Sequence, residues 1–412
     1  MSARESLIDA CGAEHVRDAT SADAIGGVKA TYVVSPVDTD AVSAVMAAAA
    51  EHGLAVVVRG AATKIDWGNP PTRVDLVVDL SAMNAILEHA DGDLIARVQP
   101  GVGLATFQKA LAPARQRLAV DEVVPGSTVG GIIATGLSGP SRFLYGGVRD
   151  LLIGITIVRA DGVVAHAGGR VVKNVAGYDL CKLYTGSYGT LGIVTEAIFR
   201  LHPIPEASAY VSIALPDEAT AGAKVAEVLD SQVVATAVEI DRSEPVGPVT
   251  LCILIEGFGP GVSARASRLV ALLGPDAHVS EQRPQWWGTL PAGAASLRIT
   301  AQPSGVPAVL QSVARASVDC GLTAAIRGSA GTGVLYTSVS RGATAAVARF
   351  VDAVRETCTA EGGSAVVVKA PAAVKSVVNV WGRIPAISLM RRVKTSFDPE
   401  NRLSPGRFVG GI

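Results

Sequence analysis

The sequence has few cysteines, and none of them is close to another. There are five in a chain of 412 residues. They are far apart and form no C-x-x-C motif, at Cys11, Cys181, Cys252, Cys320 and Cys358. This spacing excludes an iron–sulfur cluster or a disulfide framework encoded by the chain. If the protein takes part in one-electron transfer, the relay is expected on another chain.

The sequence also lacks an excess of charge and any long apolar run. It carries 36 basic and 37 acidic residues, a formal net charge of −1, which argues against a nucleic-acid binder or a polybasic membrane anchor. No apolar stretch reaches the roughly 18–20 residues of a membrane-spanning helix. The start of the chain, Met1–Ser6, lacks the apolar core of a signal peptide. These features predict a soluble, cytoplasmic protein without a transmembrane segment.

The length predicts two or three domains, and the first half reads as alternating strands and helices. Tyr32–Pro36 and Leu54–Val58 are typical strands. Between them, Asp38 can cap a helix. The apolar residues of this helix fall on one face, at Val42, Val45, Met46 and Ala49. The resulting β-α-β unit delivers a turn at the carboxyl end of a strand, where open α/β sheets usually bind ligands.

That turn, Arg59–Lys64, predicts a pyrophosphate cradle. Its small residues let adjacent backbone N–H groups form a concave anion nest, and Arg59 and Lys64 add positive potential. The spacing fits neither a P-loop nor the G-x-G-x-x-G fingerprint. Taken alone, a small-residue turn after a strand is commonly just a turn, so its function depends on the segments that come later in the chain.

Two further glycine-rich stretches lie downstream of the turn. Residues 124–139 contain more glycine than an ordinary helix tolerates, since each interior Gly costs about 1 kcal/mol relative to Ala. A flat cofactor lying against bare backbone would explain them, with hydroxyls from Ser127, Thr128, Thr135 and Ser138. The alternative is a sharp loop into a tightly packed helix. In residues 186–196 glycines again precede an apolar strand and would let the backbone approach a ring.

In that order and spacing, the R-G-x-x-T turn, the P-G-S-T-V-G-G stretch and the G-S-x-G-T-L-G-I-V-T-E stretch resemble the FAD-binding domain of the vanillyl-alcohol-oxidase or PCMH type. The resemblance covers about residues 25–205. Four further segments are similar to the FAD-binding subunit of bacterial glycolate oxidase: residues 63–68, 137–140, 148–150 and 173–180.

The resemblance implies an α+β fold in two parts. A PCMH-type two-lobed FAD-binding domain would occupy residues 1–205. An α+β cap domain with an antiparallel sheet would occupy residues 206–412, and its C-terminal segment, Phe397–Arg407, would return to the flavin domain. The alternating strands and helices after His202–Pro205 favour the same division.

The resemblance also implies a set of cofactor-binding residues. The FAD pyrophosphate would be held by Arg59, Gly60, Ala61, Ala62 and Thr63. The ribityl and isoalloxazine portion would be lined by Gly126, Ser127, Thr128, Gly130, Gly131, Thr135 and Ser138. The rings would meet the backbone of Gly192, Ile193 and Val194. No catalytic residue is assigned.

Three departures from the family pattern bear on the cofactor. Relatives commonly carry glycine where Ala61 and Ala62 stand, and an alanine forced to a positive φ costs about 1 kcal/mol. Tyr188 replaces a usual Glu. No histidine lies near the cradle, so the FAD is expected to be non-covalent.

Residues 328–336 line up with the G-H-x-G-D-G-N-x-H motif of the catalytic subunits of related 2-hydroxy-acid dehydrogenases. Ser329 and Tyr336 occupy the histidine positions and Thr332 the aspartate position, and hydroxyls are poor ligands for first-row metals. The six histidines of the chain show no metal-ligand spacing either. We therefore expect no metal and slow or absent turnover of 2-hydroxy acids by the isolated chain.

The leading function is an FAD-binding component of a 2-hydroxy-acid, glycolate-type oxidoreductase, which relays or supports electron transfer within a multi-subunit complex. Its expected partners are a catalytic flavin subunit and an iron–sulfur subunit. Two alternatives stay open: a self-sufficient FAD-dependent oxidase of an alcohol or sugar lactone, and a flavin scaffold without turnover. Trp286–Trp287 is more commonly an interface or core pair than a substrate platform, and it is one candidate docking surface for a partner. Arg327, Tyr336 and Arg383 are candidates to face the flavin.

Overall fold

A computed structural model describes residues 1–170 and 178–412. The segment Lys173–Gly177, part of the glycolate-oxidase resemblance, lies outside the described residues. The helices are α1 (Ala3–Cys11), α2 (Thr39–Glu51), α3 (Leu104–Leu111), α4 (Val129–Thr135), α5 (Arg142–Tyr145), α6 (Val148–Leu151), α7 (Leu180–Tyr184), α8 (Glu218–Asp230), α9 (Gly259–Leu273), α10 (Val306–Cys320), α11 (Thr344–Ala360), α12 (Ala372–Lys375) and α13 (Ile387–Phe397). The strands are β1 (Val16–Asp18), β2 (Tyr32–Val34), β3 (Val56–Arg59), β4 (Leu76–Asp79), β5 (Ile86–Ala90), β6 (Ile95–Val98), β7 (Gln116–Arg117), β8 (Leu152–Val158), β9 (Val164–Gly168), β10 (Ile193–Arg200), β11 (His202–Pro203), β12 (Ala207–Leu215), β13 (Ala237–Arg242), β14 (Val249–Gly257), β15 (His278–Ser280), β16 (Ala295–Thr300), β17 (Ala324–Ser329), β18 (Val334–Val339) and β19 (Ser364–Lys369).

The described chain divides into two compact units. The first comprises Met1–Ser138, Gly147–Ile204 and Arg383–Ile412, and the second comprises Gly139–Gly146 and Pro205–Gly382. The chain passes between the units at residues 204 and 205, beside the expected domain boundary. The short segment Gly139–Gly146, expected from the sequence in the first domain, groups with the second unit instead.

The first unit contains a four-stranded sheet in the order β1-β2-β4-β3, in which β2, β4 and β3 run parallel and β1 pairs antiparallel with β2. Helix α2 begins where the Asp38 carboxylate accepts a hydrogen bond of 2.7 Å from the Ala41 N–H. Its buried face is the predicted one: Val42, Val45, Met46 and Ala49 are each fully buried. The β-α-β unit is therefore present, with β4 lying between its two strands.

A five-stranded antiparallel sheet, β5-β6-β10-β8-β9, forms the other lobe of the first unit. One apolar core joins the two sheets, since Val34 and Val56 of the first sheet share it with Val158 and Ile193 of the second. The C-terminal segment adds Leu403 to that core. It also pairs with β3, because the Val56 N–H donates to the Arg402 carbonyl at 2.8 Å. The chain end therefore lies directly beside the strand that leads into the predicted cradle.

The second unit is built on an eight-stranded antiparallel sheet, in the order β15-β12-β14-β13-β17-β18-β16-β19. The helices α8, α9, α10 and α11 pack against it and against one another in the order α9-α8-α10-α11, which makes one continuous layer. The antiparallel sheet with a helical layer is the α+β architecture expected for a cap. None of the helices in the described residues combines the length and apolarity needed to cross a bilayer.

The tryptophan pair belongs to the interior of the second unit. Trp287 is 4 % exposed and packs with Cys252 and Leu254. Its ring meets that of Tyr210 edge to face, with centroids 5.2 Å apart. Trp286 is partly buried and packs against the same cluster. The pair therefore belongs to a core cluster, and its use as a docking surface stays a prediction.

Candidate functional site

Two adjoining depressions in the first unit bring the three glycine-rich segments together. They are open to solvent, with empty volumes of about 570 and 500 Å³, and share Arg59, Gly60, Thr128, Gly131 and Tyr188. We call them the ring depression, which reaches Gly192, and the cradle depression, which reaches Lys64. Together they form one groove.

Twelve of the predicted cofactor residues line this groove. Those of the ring depression are Arg59, Gly60, Thr128, Gly130, Gly131, Gly192, Ile193 and Val194. Those of the cradle depression are Arg59, Gly60, Ala61, Ala62, Thr63, Thr128, Gly131 and Thr135. Among the described lining residues there is no Asp or Glu. The described lining of the groove therefore carries no carboxylate that would repel an anion.

Three predicted residues, Gly126, Ser127 and Ser138, do not line the groove. Ser127 is 1 % exposed, and its hydroxyl donates to the Val124 carbonyl at 2.6 Å. The Ser138 hydroxyl, also buried, accepts a bond of 3.1 Å from the Val148 N–H. These hydroxyls are bonded within the chain, and the expectation that they face a ribityl chain stays a prediction.

The stretch after Gly126 does form a helix, contrary to the expectation from its glycine content. The Thr128 hydroxyl caps α4 by accepting from the Gly131 N–H at 3.3 Å. A Cβ on Gly130 would lie 2.7 Å from Pro100 Cβ, so only glycine permits this close approach. A tightly packed helix was the alternative interpretation of the sequence. The structure shows this helix, and the same helix also lines the groove.

Arg59 is neutralised by the protein itself. Its guanidinium donates to Asp23 at 2.9 Å and to Asp79 at 2.8 Å, and its side chain is 17 % exposed. Arg17 chiefly, together with Arg59, holds the pKa of Asp23 far below its usual range. Arg59 thus ties β3 to β4 and to the chain start, and it adds little of the positive potential expected of it.

Lys64 is the buried cation of the cradle depression. It is 8 % exposed, and its Nζ donates to Ser127 Oγ at 2.6 Å and to Thr63 Oγ1 at 3.2 Å. Burial lowers its pKa to about 8, and the charge of Glu122 opposes this shift. Lys64 therefore stays mostly charged at neutral pH while lacking a direct carboxylate partner among the described residues.

The cradle turn holds one of its two alanines in a strained conformation. Ala62 has φ +56°, in the left-handed region, whereas Ala61 is not among the residues with positive φ. A left-handed alanine costs about 1 kcal/mol or more because its Cβ approaches the following carbonyl oxygen. The predicted cost therefore applies to Ala62 alone.

Two groove residues were not identified from the sequence. Arg407 lines the cradle depression and is 5 % exposed; it donates to the Ile65 and Trp67 carbonyls, and burial lowers its pKa to about 10. Tyr188, noted only as a departure from the family, lines both depressions at φ +56°. Arg407 could have been identified from the sequence, because it is an arginine in the C-terminal segment that was expected to return to the flavin domain.

A buried ion pair fixes the C-terminal segment to the ring depression. Lys394 Nζ contacts Asp398 at 2.6 Å and donates to the carbonyls of Thr190 and Leu403, each at 2.8 Å. Both side chains are buried. The pair thereby joins helix α13 to the loop that leads into Gly192.

In the second unit, residues 328–336 form the end of β17, a turn and the start of β18. Arg327 is held by Asp241 at 2.8 Å, and the buried hydroxyls of Ser329 and Thr332 lack hydrogen-bond partners within the described chain. Among residues 1–170 and 178–412 no cluster of three or more His, Cys, Asp or Glu could hold a metal ion. The expectation of a metal-free chain stays a prediction.

Comparisons with known proteins agree with this geometry. Residues 30–168 match a family model described as an FAD binding domain, and residues 383–408 match the C-terminal domain of FAD linked oxidases. The first match spans β2 to β9 and the second spans α13 and the segment that pairs with β3. The chain therefore carries an FAD-binding domain and a C-terminal segment of the kind found in FAD linked oxidases. Its cofactor is FAD.

Two curated relatives of this chain are subunits of glycolate oxidase. Glycolate oxidase subunit GlcD of Bacillus subtilis is 33% identical over 285 residues, which is 66% of this chain and 59% of that protein. Glycolate oxidase subunit GlcE of Escherichia coli is 38% identical over 155 residues, 37% of this chain and 44% of that protein. The chain thus matches less than two thirds of the length of either relative.

Among solved structures, p-cresol methylhydroxylase with substrate bound superposes with a TM-score of 0.74 at 16% identity, over 98% of this chain and 96% of that one. At this identity the similarity establishes the fold alone. It is the PCMH-type fold that the sequence predicted.

Proposed function

We propose that the chain is the FAD-binding component of a 2-hydroxy-acid, glycolate-type oxidoreductase and works within a multi-subunit complex. The observation that carries the proposal is the groove, because three segments far apart in sequence converge there. The similarity to two glycolate oxidase subunits supports the substrate class. The first unit would hold the flavin and the second would act as the cap. A cytoplasmic location stays a prediction.

The groove would hold FAD by its backbone and by a few side chains. The cradle depression offers the turn Gly60–Thr63 and the cation of Lys64 to a pyrophosphate, and the ring depression offers Gly192–Val194 to a flat ring. Bound FAD supplies two-electron chemistry at its ring, while the protein supplies binding, orientation and exclusion of water. Small residues matter here because they let backbone groups reach the cofactor.

We propose that the FAD is bound without a covalent link. In one structural neighbour, glucooligosaccharide oxidase from Acremonium strictum, a cysteine and a histidine are attached to the FAD. Within the described chain, neither type lines the ring or the cradle depression. Acid precipitation should therefore leave the flavin in the supernatant, whereas colour retained in the pellet would contradict the proposal.

Electrons are proposed to leave through partner subunits. The five cysteines are isolated from one another, and three of them, Cys181, Cys252 and Cys358, are buried. Burial raises the pKa of each of these thiols above its usual value. Such thiols do not assemble an iron–sulfur cluster, so an iron–sulfur subunit and a catalytic flavin subunit are the expected partners.

The decisive experiment for this function is anaerobic reduction of the flavin by glycolate and by D-lactate. The FAD-loaded full chain alone should be reduced slowly or not at all, and the complex purified from the native cell should be reduced rapidly. Rapid reduction of the chain alone would favour the self-sufficient oxidase. If neither preparation were reduced, with intact partners present, the remaining hypothesis would be a flavin scaffold without turnover.

A further inference from the structure

The cradle depression is lined by three cationic residues, and they differ in the partners that the described chain gives them. Arg59 is paired with Asp23 and Asp79. Arg407 donates to two backbone carbonyls. Lys64 donates to two hydroxyls, and among residues 1–170 and 178–412 it forms no ion pair.

An ammonium group has three N–H donors. Two of those of Lys64 meet Ser127 and Thr63, which leaves one for a ligand in the depression that Lys64 lines. A buried charge without a carboxylate partner is costly to keep. An anion bound in the depression would offset that cost.

The way to Lys64 is open from the side of helix α4. A Cβ added to Gly131 would lie 3.8 Å from Lys64 Nζ and 3.2 Å from Thr128 Oγ1. Glycine at this position therefore leaves the ammonium group uncovered toward the groove. The turn Ala61–Thr63 is exposed and also lines the depression.

We infer that Lys64, rather than Arg59, is the side chain that neutralises the pyrophosphate of the bound dinucleotide, and that its buried position makes FAD binding depend on pH. This inference rests on the proposed use of the groove for FAD. Lys64 would contact the cofactor directly, and Ser127 would position the ammonium group of Lys64. Arg59 would shape the cradle without contributing charge.

The pH dependence has a definite sign. With a pKa of about 8 in the free protein, Lys64 is about nine tenths charged at pH 7 and about one tenth charged at pH 9. A pyrophosphate at contact distance favours the charged form, so FAD binding above pH 8 must take up a proton. FAD affinity should therefore fall about tenfold from pH 7 to pH 9.

Other ionisable groups near Lys64 do not account for a change in this range. The charge of Glu122 acts on Lys64, and Arg59 is paired with Asp23 and Asp79. Arg407 has a pKa of about 10, above the pH range of the experiment. Tyr188 is the remaining ionisable residue lining the depression, and Tyr188→Phe serves as its control.

The experiment measures the dissociation constants of FAD and of riboflavin for the full chain at pH 7 and pH 9. Riboflavin lacks phosphate and serves as the uncharged probe. Lys64→Met should weaken FAD tenfold to a hundredfold at pH 7, as expected for a lost hydrogen bond to a charged group, and leave riboflavin unchanged. The variant should also remove the difference between pH 7 and pH 9. Lys109→Met, at an exposed lysine of α3, is the matched control.

Lys64→Arg keeps the charge and should bind FAD with little pH dependence, which guards against a variant that merely fails to fold. A further test needs no variant. Calorimetry of FAD binding to the wild type at pH 8.5, in two buffers of different ionisation enthalpy, should show that binding takes up protons. Equal losses for FAD and riboflavin, or FAD binding by the wild type without pH dependence, would overturn the role of Lys64 alone. A wild-type chain without affinity for FAD would overturn the proposed function as well.

Discussion

Replacement of Ala62 by glycine should stabilise the first unit. Ala62 lies at φ +56° in the cradle turn, a conformation that costs an L-residue about 1–2 kcal/mol and glycine almost nothing. Glycine loses more conformational entropy on folding than alanine does, which reduces the gain in stability by about 0.5–1 kcal/mol. The net gain in the free energy of unfolding should be about 1 kcal/mol.

The neighbouring alanine provides the control for this prediction. Ala61 is exposed and is not in the left-handed region, so Ala61→Gly brings only the entropy cost and should destabilise by about 0.5–1 kcal/mol. The two variants have the same composition and differ in position by one residue. Their stabilities should therefore move in opposite directions.

Urea denaturation, followed by circular dichroism, measures both effects through the midpoint at constant slope. For a cooperative unit of about 230 residues, 1 kcal/mol corresponds to about 2 °C in the melting temperature. The gain for Ala62→Gly should appear with or without FAD, because the strain belongs to the turn itself. If both variants were destabilised equally, the left-handed conformation of Ala62 would be refuted.

Three further predictions concern buried charges. Arg59→Met should lower the free energy of unfolding by about 3 kcal/mol, because it leaves the buried Asp23 with one partner fewer; a variant of native stability in a urea titration would restore Arg59 as a simple cofactor ligand. Lys394→Met should cost about 3–5 kcal/mol by stranding Asp398, and Asp398→Leu on that background should recover part of the loss, as a double-mutant cycle will measure. The depressed pKa of Asp23 contributes stability that is present above its unfolded pKa near 4 and is lost as the pH falls below it, so Asp23→Asn should flatten the acid limb of the stability curve, and an unchanged limb would argue against the ion pairs with Arg17 and Arg59.

Sequence patterns predicted much of the fold, because capping and the burial of one helix face depend on residues that are close together in the sequence. The cap of α2 and its buried face depend on residues within four positions of one another, so Asp38 and Val42 could be assigned from the sequence. The glycine content of residues 124–139 was a poor guide to their structure, because helix propensity contributes only weakly to whether a segment forms a helix. The packing of Gly130 on Pro100 outweighs it and gives a helix.

The electrostatics of the site could not be predicted in the same way. Arg59 meets Asp23 from 36 residues away, and Lys64 meets Ser127 from 63 residues away. No periodicity in the sequence connects such partners. The sequence therefore predicted a cradle with two cations, but it could not tell which of them is paired with carboxylates of the same chain.

The central claim is that the groove binds one FAD per chain without a covalent link. The most direct measurement is a flavin titration of the purified full chain, with subsequent acid precipitation and determination of FAD in the supernatant and the pellet. We predict saturation at one FAD per chain and recovery of all of it in the supernatant. A chain that takes up no FAD, or that keeps the flavin in the pellet, would contradict the claim.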